Sequence, residues 1–226
     1  MSRLPVVLIA PIAVAQARGV RAKDPGLQPP PTPWSGAVTG PDPLRLLVVG
    51  DSTAVGTGVE RSSDALAGQL AALLGESRGA TWRAIGRSGA TSGEVLADFG
   101  AELATEPADV VVLLVGWNDA LQLVSGSAFA RHLGALLDAA AAASPSARLV
   151  VVSPPAFADF AVLPQPLRAA LGSHARGLAR VASRVAAAHA APLAPGFDGR
   201  SVAADGFHPD LAGYGELAAG VARALA

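Results

Sequence analysis

The segment Gly50-Asp51-Ser52-Thr53-Ala54-Val55-Gly56-Thr57-Gly58 places hydroxyls and glycines directly after the apolar run Leu46–Val49. Two chemistries use such a turn: a backbone cradle for phosphate, or the presentation of a nucleophile. A phosphate loop needs two glycines with four residues between them, then Lys and Ser or Thr, because the lysine brings positive charge to the phosphates. Here five residues separate Gly50 from Gly56, Thr57 follows without a lysine, and the only lysine of the chain is Lys23. A dinucleotide fingerprint fails as well, since Gly56-Thr57-Gly58 leads to Glu60 and Arg61 with no third glycine. The nucleophile reading is left, and its hydroxyl is Ser52.

A serine attacks a carbonyl only when a base takes its proton and a third group orients that base. Of the four histidines, His132, His174 and His189 fall in helical stretches and read as partly exposed surface residues. His208 differs, standing in Ala204-Asp205-Gly206-Phe207-His208-Pro209-Asp210 just ahead of the last helix. Asp205, three residues earlier, can reach one imidazole nitrogen across Gly206 while the other nitrogen faces a cleft. The competing role for Asp205 or Asp210 is to cap that helix. A tetrahedral acyl intermediate also needs N–H donors for its oxyanion. Three candidates are the Ser52 amide, the Gly89 amide in Arg87-Ser88-Gly89-Ala90-Thr91, and the side-chain NH₂ of Asn118 in Gly116-Trp117-Asn118-Asp119. Taken singly, Gly89 is a turn glycine and Asn118 a turn or cap residue. Asp51 and Asp119 read as loop-organising residues that bond backbone N–H groups. Ser88, Ser92 and Ser153 are rival hydroxyls, and Ser88 lacks the G-x-S-x-G elbow because Ala90 stands where its last glycine belongs.

Something must bring these separated loops together. Beyond Pro43, short all-apolar runs (LRLLVVG, ADVVVLLVG, ARLVVVSPP) alternate with longer alanine-rich stretches. Continuous Val/Leu runs suit strands buried on both faces of a parallel sheet. The pattern predicts strands near Leu44–Val49, Thr81–Ile85, Val110–Val115 and Leu149–Val152, with a weak fifth near Pro192–Ala194. Helices are predicted near Ala65–Leu74, Gly93–Leu103, Ala128–Ala143, Leu167–Ala190 and Leu211–Leu225. Alternation of this kind implies right-handed crossovers and a doubly wound α/β sheet, whose ligands sit beyond the carboxyl ends of the strands. Every loop named above falls at such an end.

Gly50-Asp51-Ser52, a glycine in the second loop, Gly116-x-Asn118-Asp119 and Asp205-x-x-His208-Pro209 occur in order from Leu44 to the C-terminus. Together they resemble the SGNH hydrolases, also called GDSL esterases and lipases. That resemblance implies a three-layer α/β/α sandwich around a flavodoxin-like, five-stranded parallel sheet. It implies Ser52 as nucleophile, His208 as general base and then acid, and Asp205 as the orienting carboxylate. It also implies an oxyanion hole of Ser52, Gly89 and Asn118, and neither a metal nor an organic cofactor. Thr53 departs from the leucine common in the family at that position. Trp117, Val55, Phe157, Phe160 and Phe207 are apolar candidates for the substrate walls, and Ser153 to Pro166 for the rim. The expected reaction is hydrolysis of short- to medium-chain carboxylic esters. An acyltransferase, a thioesterase or lysophospholipase, and a carbohydrate O-acetyl esterase would use the same site, and a catalytically silent binding module is the non-enzymatic reading.

Composition narrows the partners. The chain has 226 residues, 51% hydrophobic and 15% charged, with a formal net charge of -1, which fits one substantial core and leaves no basic stripe for nucleic acid. A small ester substrate is the expected partner. Cysteine is absent, so disulfides, thiolate catalysis and cysteine-ligated zinc are excluded. Nine of the 18 prolines lie between Pro5 and Pro43, so residues 1–43 read as an extended, proline-rich arm before a catalytic domain over residues 44–226. Its first residues, MSRLPVVLIAPIAVAQA, are open to three readings: a signal peptide, a helix packed on the domain, or a weak membrane contact. A cytoplasmic or membrane-peripheral location is expected over export.

Overall fold

A computed structural model describes residues 12, 14–20, 22 and 25–226. Strands β1 (Ser35–Val38), β2 (Leu44–Gly50), β3 (Ala80–Gly86), β4 (Val110–Leu114), β5 (Arg148–Val152) and β6 (Leu193–Ala194) form one sheet. The intervening helices are α1 (Leu66–Leu74), α2 (Ser92–Leu103), α3 (Trp117–Leu121), α4 (Gly126–Ala143), α5 (Leu167–Ala188) and α6 (Leu211–Leu225). The sheet order is β1-β3-β2-β4-β5-β6, and the five strands from β3 to β6 run parallel. Those five match the expected parallel sheet. The sixth strand, β1, lies antiparallel along the outer edge of β3, pairing Ser35 with Arg83 and Val38 with Ala80. Part of the proline-rich segment thus belongs to the sheet.

Burial follows the sequence logic. All five residues of β4, Val-Val-Val-Leu-Leu, are buried, as a strand covered on both faces requires. One face carries α1 packed on α6; the other carries α2 on α4 and α4 on α5. Chain order reverses at β2, whose crossovers lead to β3 on one side and, further along, to β4 on the other. The crevice between the carboxyl ends of β2 and β4 is therefore the switch point where such folds bind ligands. Gly50 ends β2 there because the backbones approach so closely: a Cβ on it would lie 2.0 Å from the Leu114 carbonyl oxygen.

Several boundaries shift from expectation by a residue or two, as where α4 begins at Gly126 and not Ala128. The loop GWNDA holds a short helix, α3, and α5 stops at Ala188 because Ala190 turns to a positive φ of 52°. The apolar N-terminal segment falls mostly outside the described residues. Among those described, no helix is long and apolar enough to cross a membrane.

Candidate active site

The loop after β2 is tied down by its own carboxylate. Asp51 donates its amide to the Leu114 carbonyl (3.3 Å), and its Oδ1 accepts from the Thr53 amide (3.1 Å). The Asp51 carbonyl accepts from Ala54 and Val55. Further along, Thr57 donates to the Ser52 carbonyl (3.0 Å), while the buried Tyr214 hydroxyl donates to the Thr57 carbonyl (2.7 Å). Gly58 closes the loop at φ +109°, and a Cβ there would lie 2.3 Å from the Pro209 carbonyl oxygen. Only glycine lets the Ser52 loop press so closely against the His208 loop.

That contact brings Ser52 and His208, 156 residues apart in sequence, together: Ser52 Oγ lies 2.9 Å from His208 Nε2. On the far side of the ring, His208 Nδ1 lies 2.5 Å from Asp205 Oδ2. A carboxylate accepts, so Nδ1 carries the proton and Nε2 is left to accept from the serine hydroxyl. The other Asp205 oxygen, Oδ1, accepts from the Phe207 and His208 amides (2.9 and 3.0 Å). Burial pushes the Asp205 carboxyl up, but the bond to His208 and these two amides outweigh it and hold it below the ordinary carboxylate range. The capping role falls to Asp210, which accepts from the Gly213 amide (2.9 Å) at the start of α6. Asp205 is left free for the imidazole.

The donor candidates stand on three loops. Asn118 sits in the first turn of α3, and its Nδ2 donates to Asp51 Oδ2 (3.3 Å), which among the described residues leaves the second proton of that NH₂ unengaged. Gly89 lies in an exposed turn at φ +79°. Among the described residues, neither the Ser52 amide nor the Gly89 amide has a hydrogen-bond partner. Burial raises the Asp51 carboxyl to about 7, against the opposing pull of the Thr53 amide and of His208.

The rival hydroxyls separate on the same grounds. Ser92 also has a carboxylate and an imidazole beside it, Asp119 Oδ1 at 2.5 Å and His132 Nδ1 at 3.2 Å. Yet Ser92 is fully buried and already donates its proton to the carboxylate, so no base is positioned to receive it. His132 is accordingly more than a surface residue. Among the described residues the Ser88 side chain meets only the Thr57 hydroxyl (3.3 Å), and Ser153 donates to the Pro154 carbonyl (3.2 Å).

The candidate walls divide in two. Trp117 and Phe207 stay half-buried and meet edge to face with centroids 6.2 Å apart, immediately before Asn118 and His208 in the chain. Val55 and Phe157, 1% and 0% exposed, are core residues and back the site without facing it, as is Phe160. Trp117 stacks its edge contacts on both phenylalanines, at 5.3 and 5.0 Å. A cavity of about 30 Å³ lies beside Asp51, Thr53, Trp117 and Ser153, room for about one water. A larger recess of about 470 Å³ opens at the opposite end of the strands, lined by Ser144, Arg148 and His189 and remote from the loops that carry Ser52 and His208.

A hydroxyl, an imidazole and a carboxylate thus stand in hydrogen-bonded series at the carboxyl ends of the strands of a doubly wound sheet. A family profile for the GDSL-like lipase/acylhydrolase family matches residues 48–215, and the chain belongs to that family. It is a carboxylic ester hydrolase. The crystal structure of TesA is similar, at 27% identity and a TM-score of 0.64, covering 80% of this chain and 97% of the other. So is a lipase/acylhydrolase from Enterococcus faecalis, at 23% identity and a TM-score of 0.60, covering 80% and 94%. An acetylxylan esterase from Geobacillus stearothermophilus shares the fold at 17% identity and a TM-score of 0.61, covering 83% and 96%. Comparison with curated proteins returned no match.

Proposed function

We propose that this chain is a serine esterase that hydrolyses short- to medium-chain carboxylic esters through an acyl-enzyme on Ser52. The observation that carries the reading is the unbroken chain Ser52 Oγ–His208 Nε2 at 2.9 Å and His208 Nδ1–Asp205 Oδ2 at 2.5 Å. Ser52 Oγ attacks the ester carbonyl as His208 Nε2 takes its proton, and the Asp205 carboxylate stabilises the imidazolium that forms. The carbonyl π electrons move onto oxygen, where the Ser52 amide, the Gly89 amide and Asn118 Nδ2 receive the negative charge. Collapse breaks the bond to the alkoxy group, which leaves as the alcohol with the proton from His208. Water then gives its proton to His208, attacks the acyl carbonyl and releases the carboxylic acid, returning the proton to Ser52. Donors that are otherwise unengaged suit this task, since they need not break a bond as charge develops. The half-buried Trp117 and Phe207 offer an apolar surface for the acyl chain.

A series of p-nitrophenyl esters from acetate to dodecanoate tests this reading. Turnover is expected to be highest for the shorter chains and absent in Ser52→Ala. No turnover at any length would overturn it. Formation of a new ester when an acceptor alcohol is added would make the chain an acyltransferase on the same site.

A further inference from the structure

Resting on that reading, the contacts around α3 point to a further pair of residues: we infer that Asp119 and Gln122 are positioning residues that lock the two outlying oxyanion donors, Gly89 and Asn118, into one rigid unit. Asp119 and Gln122 stand one turn apart, so they face the same side of the chain segment that carries Asn118. Both reach across to the second loop. Asp119 Oδ2 accepts from the Ser92 amide (2.9 Å) and its Oδ1 from the Ser92 hydroxyl (2.5 Å). Gln122 Nε2 donates to the Gly89 carbonyl (3.4 Å). The second loop is thus gripped at both ends of the stretch from Gly89 to Ser92.

The strength of the two grips differs. Asp119 and Ser92 are both fully buried, and a charge-assisted bond in such surroundings is strong and costly to leave unmade. Ser92 Oγ, having given its proton to Asp119, accepts from His132 Nδ1 at 3.2 Å and so ties the joint to α4 as well. Gln122 is exposed and its bond long, so its part is to turn the Gly89 peptide, not to hold the fold. The first loop is linked to the same unit at two points: Asn118 to Asp51 at 3.3 Å, and the Ser88 hydroxyl to that of Thr57 at 3.3 Å. Neither Asp119 nor Gln122 is placed among the groups that meet the substrate. Their effect is transmitted through Gly89 and Asn118, whose value lies in being aimed before the charge appears.

The test compares Asp119→Asn, Gln122→Ala, Asn118→Ala and the Asp119→Asn/Asn118→Ala pair with wild type on p-nitrophenyl acetate. Rates are expressed per site titrated with an organophosphorus reagent, so that loss of folded protein does not count as loss of kcat. Asp119→Asn keeps an oxygen to accept from the Ser92 amide and an NH₂ to donate to its hydroxyl, whose own proton then turns to His132 Nδ1, so the joint keeps its partners while losing the charge. A misplacement below 1 Å is expected to lower kcat by about 10- to 100-fold for Asp119→Asn and a few-fold for Gln122→Ala, with KM within about twofold. Because Asp119 works through Asn118 as well as Gly89, the factor lost with it should be smaller in the Asn118→Ala background than in wild type. Unchanged kcat per titrated site in both single variants, or a full multiplicative loss in the pair, overturns the inference while leaving the esterase reading intact. A wild type that neither turns over nor takes the label overturns both.

Discussion

Replacing Asp205 by asparagine changes one atom of the site and should disable it. In the native loop, Asp205 Oδ1 accepts two backbone amides at 2.9 and 3.0 Å, and Oδ2 accepts from His208 Nδ1 at 2.5 Å. An amide has a single acceptor oxygen, and two fixed N–H groups claim it. Its NH₂ must then point at His208 Nδ1, which becomes an acceptor and passes the ring proton to Nε2. The imidazole now offers a proton to Ser52 Oγ where it previously offered a lone pair, so the base is lost while the loop keeps its shape. The same change in a chymotrypsin-type triad costs on the order of 10⁴ in kcat, about 5 kcal/mol of transition-state stabilisation, and a loss of that order is expected here. KM should move little, because no group meeting the ground-state ester is displaced. Steady-state kinetics on p-nitrophenyl acetate between pH 5 and 9, with circular dichroism to check the fold, measure it. A folded Asp205→Asn variant with kcat within about tenfold of wild type would refute the tautomer argument.

Four further outcomes are expected. Asn118→Ala should lower kcat by about 10²–10³ at normal stability, the usual loss for one oxyanion donor; an unchanged kcat removes it from the site. Asp51, raised by burial to about 7, binds its proton more tightly folded than unfolded. Its presence therefore favours the folded state at acid pH and costs stability as pH rises from about 4, the ordinary carboxylate value, to about 7. Relative to Asp51→Asn, the melting temperature of wild type should decline from about pH 4 to about pH 7, and a constant difference would contradict this. Asp205 has the opposite sign: its depressed carboxyl contributes stability above the ordinary carboxylate range that is lost as pH falls through its lower folded value, so Asp205→Asn should blunt acid unfolding. Gly58→Ala must place a Cβ 2.3 Å from the Pro209 carbonyl oxygen at φ +109°, and should lower stability by about 1–3 kcal/mol together with activity; a melt identical to wild type would show that the two loops do not press together as described.

The parallel core was legible because burial on both faces leaves an uninterrupted apolar run, and β2, β4 and β5 begin or end within a residue or so of their Val/Leu stretches. α6 runs from Leu211 to Leu225, where its pattern placed it. β1 was not legible: Ser35–Val38 is four mostly exposed residues among prolines, and it is a strand only because β3 lies beside it. α3 was missed for a related reason, since five residues in a Gly-Asn-Asp context carry no helical period. The order of the motifs singled out Ser52, His208 and Asp205, but spacing left Asp205 and Asp210 as rival caps of the last helix, and the structure gives the cap to Asp210. What composition could not convey was depth. Val55 and Phe157 look like Trp117 and Phe207 as letters, yet the first two are core and the second two reach the surface. Nor could spacing reveal that Asp119, Ser92 and His132, on three elements, share hydrogen bonds.

Covalent capture of the nucleophile probes the central claim most directly. The protein is treated with a fluorophosphonate, digested, and the modified residue located by mass spectrometry, with Ser52→Ala and His208→Ala alongside. One equivalent of label on Ser52, absent from Ser52→Ala and formed far more slowly in His208→Ala, is the expected result. Label on Ser88, Ser92 or Ser153, or on Ser52 at a rate indifferent to His208, would contradict it.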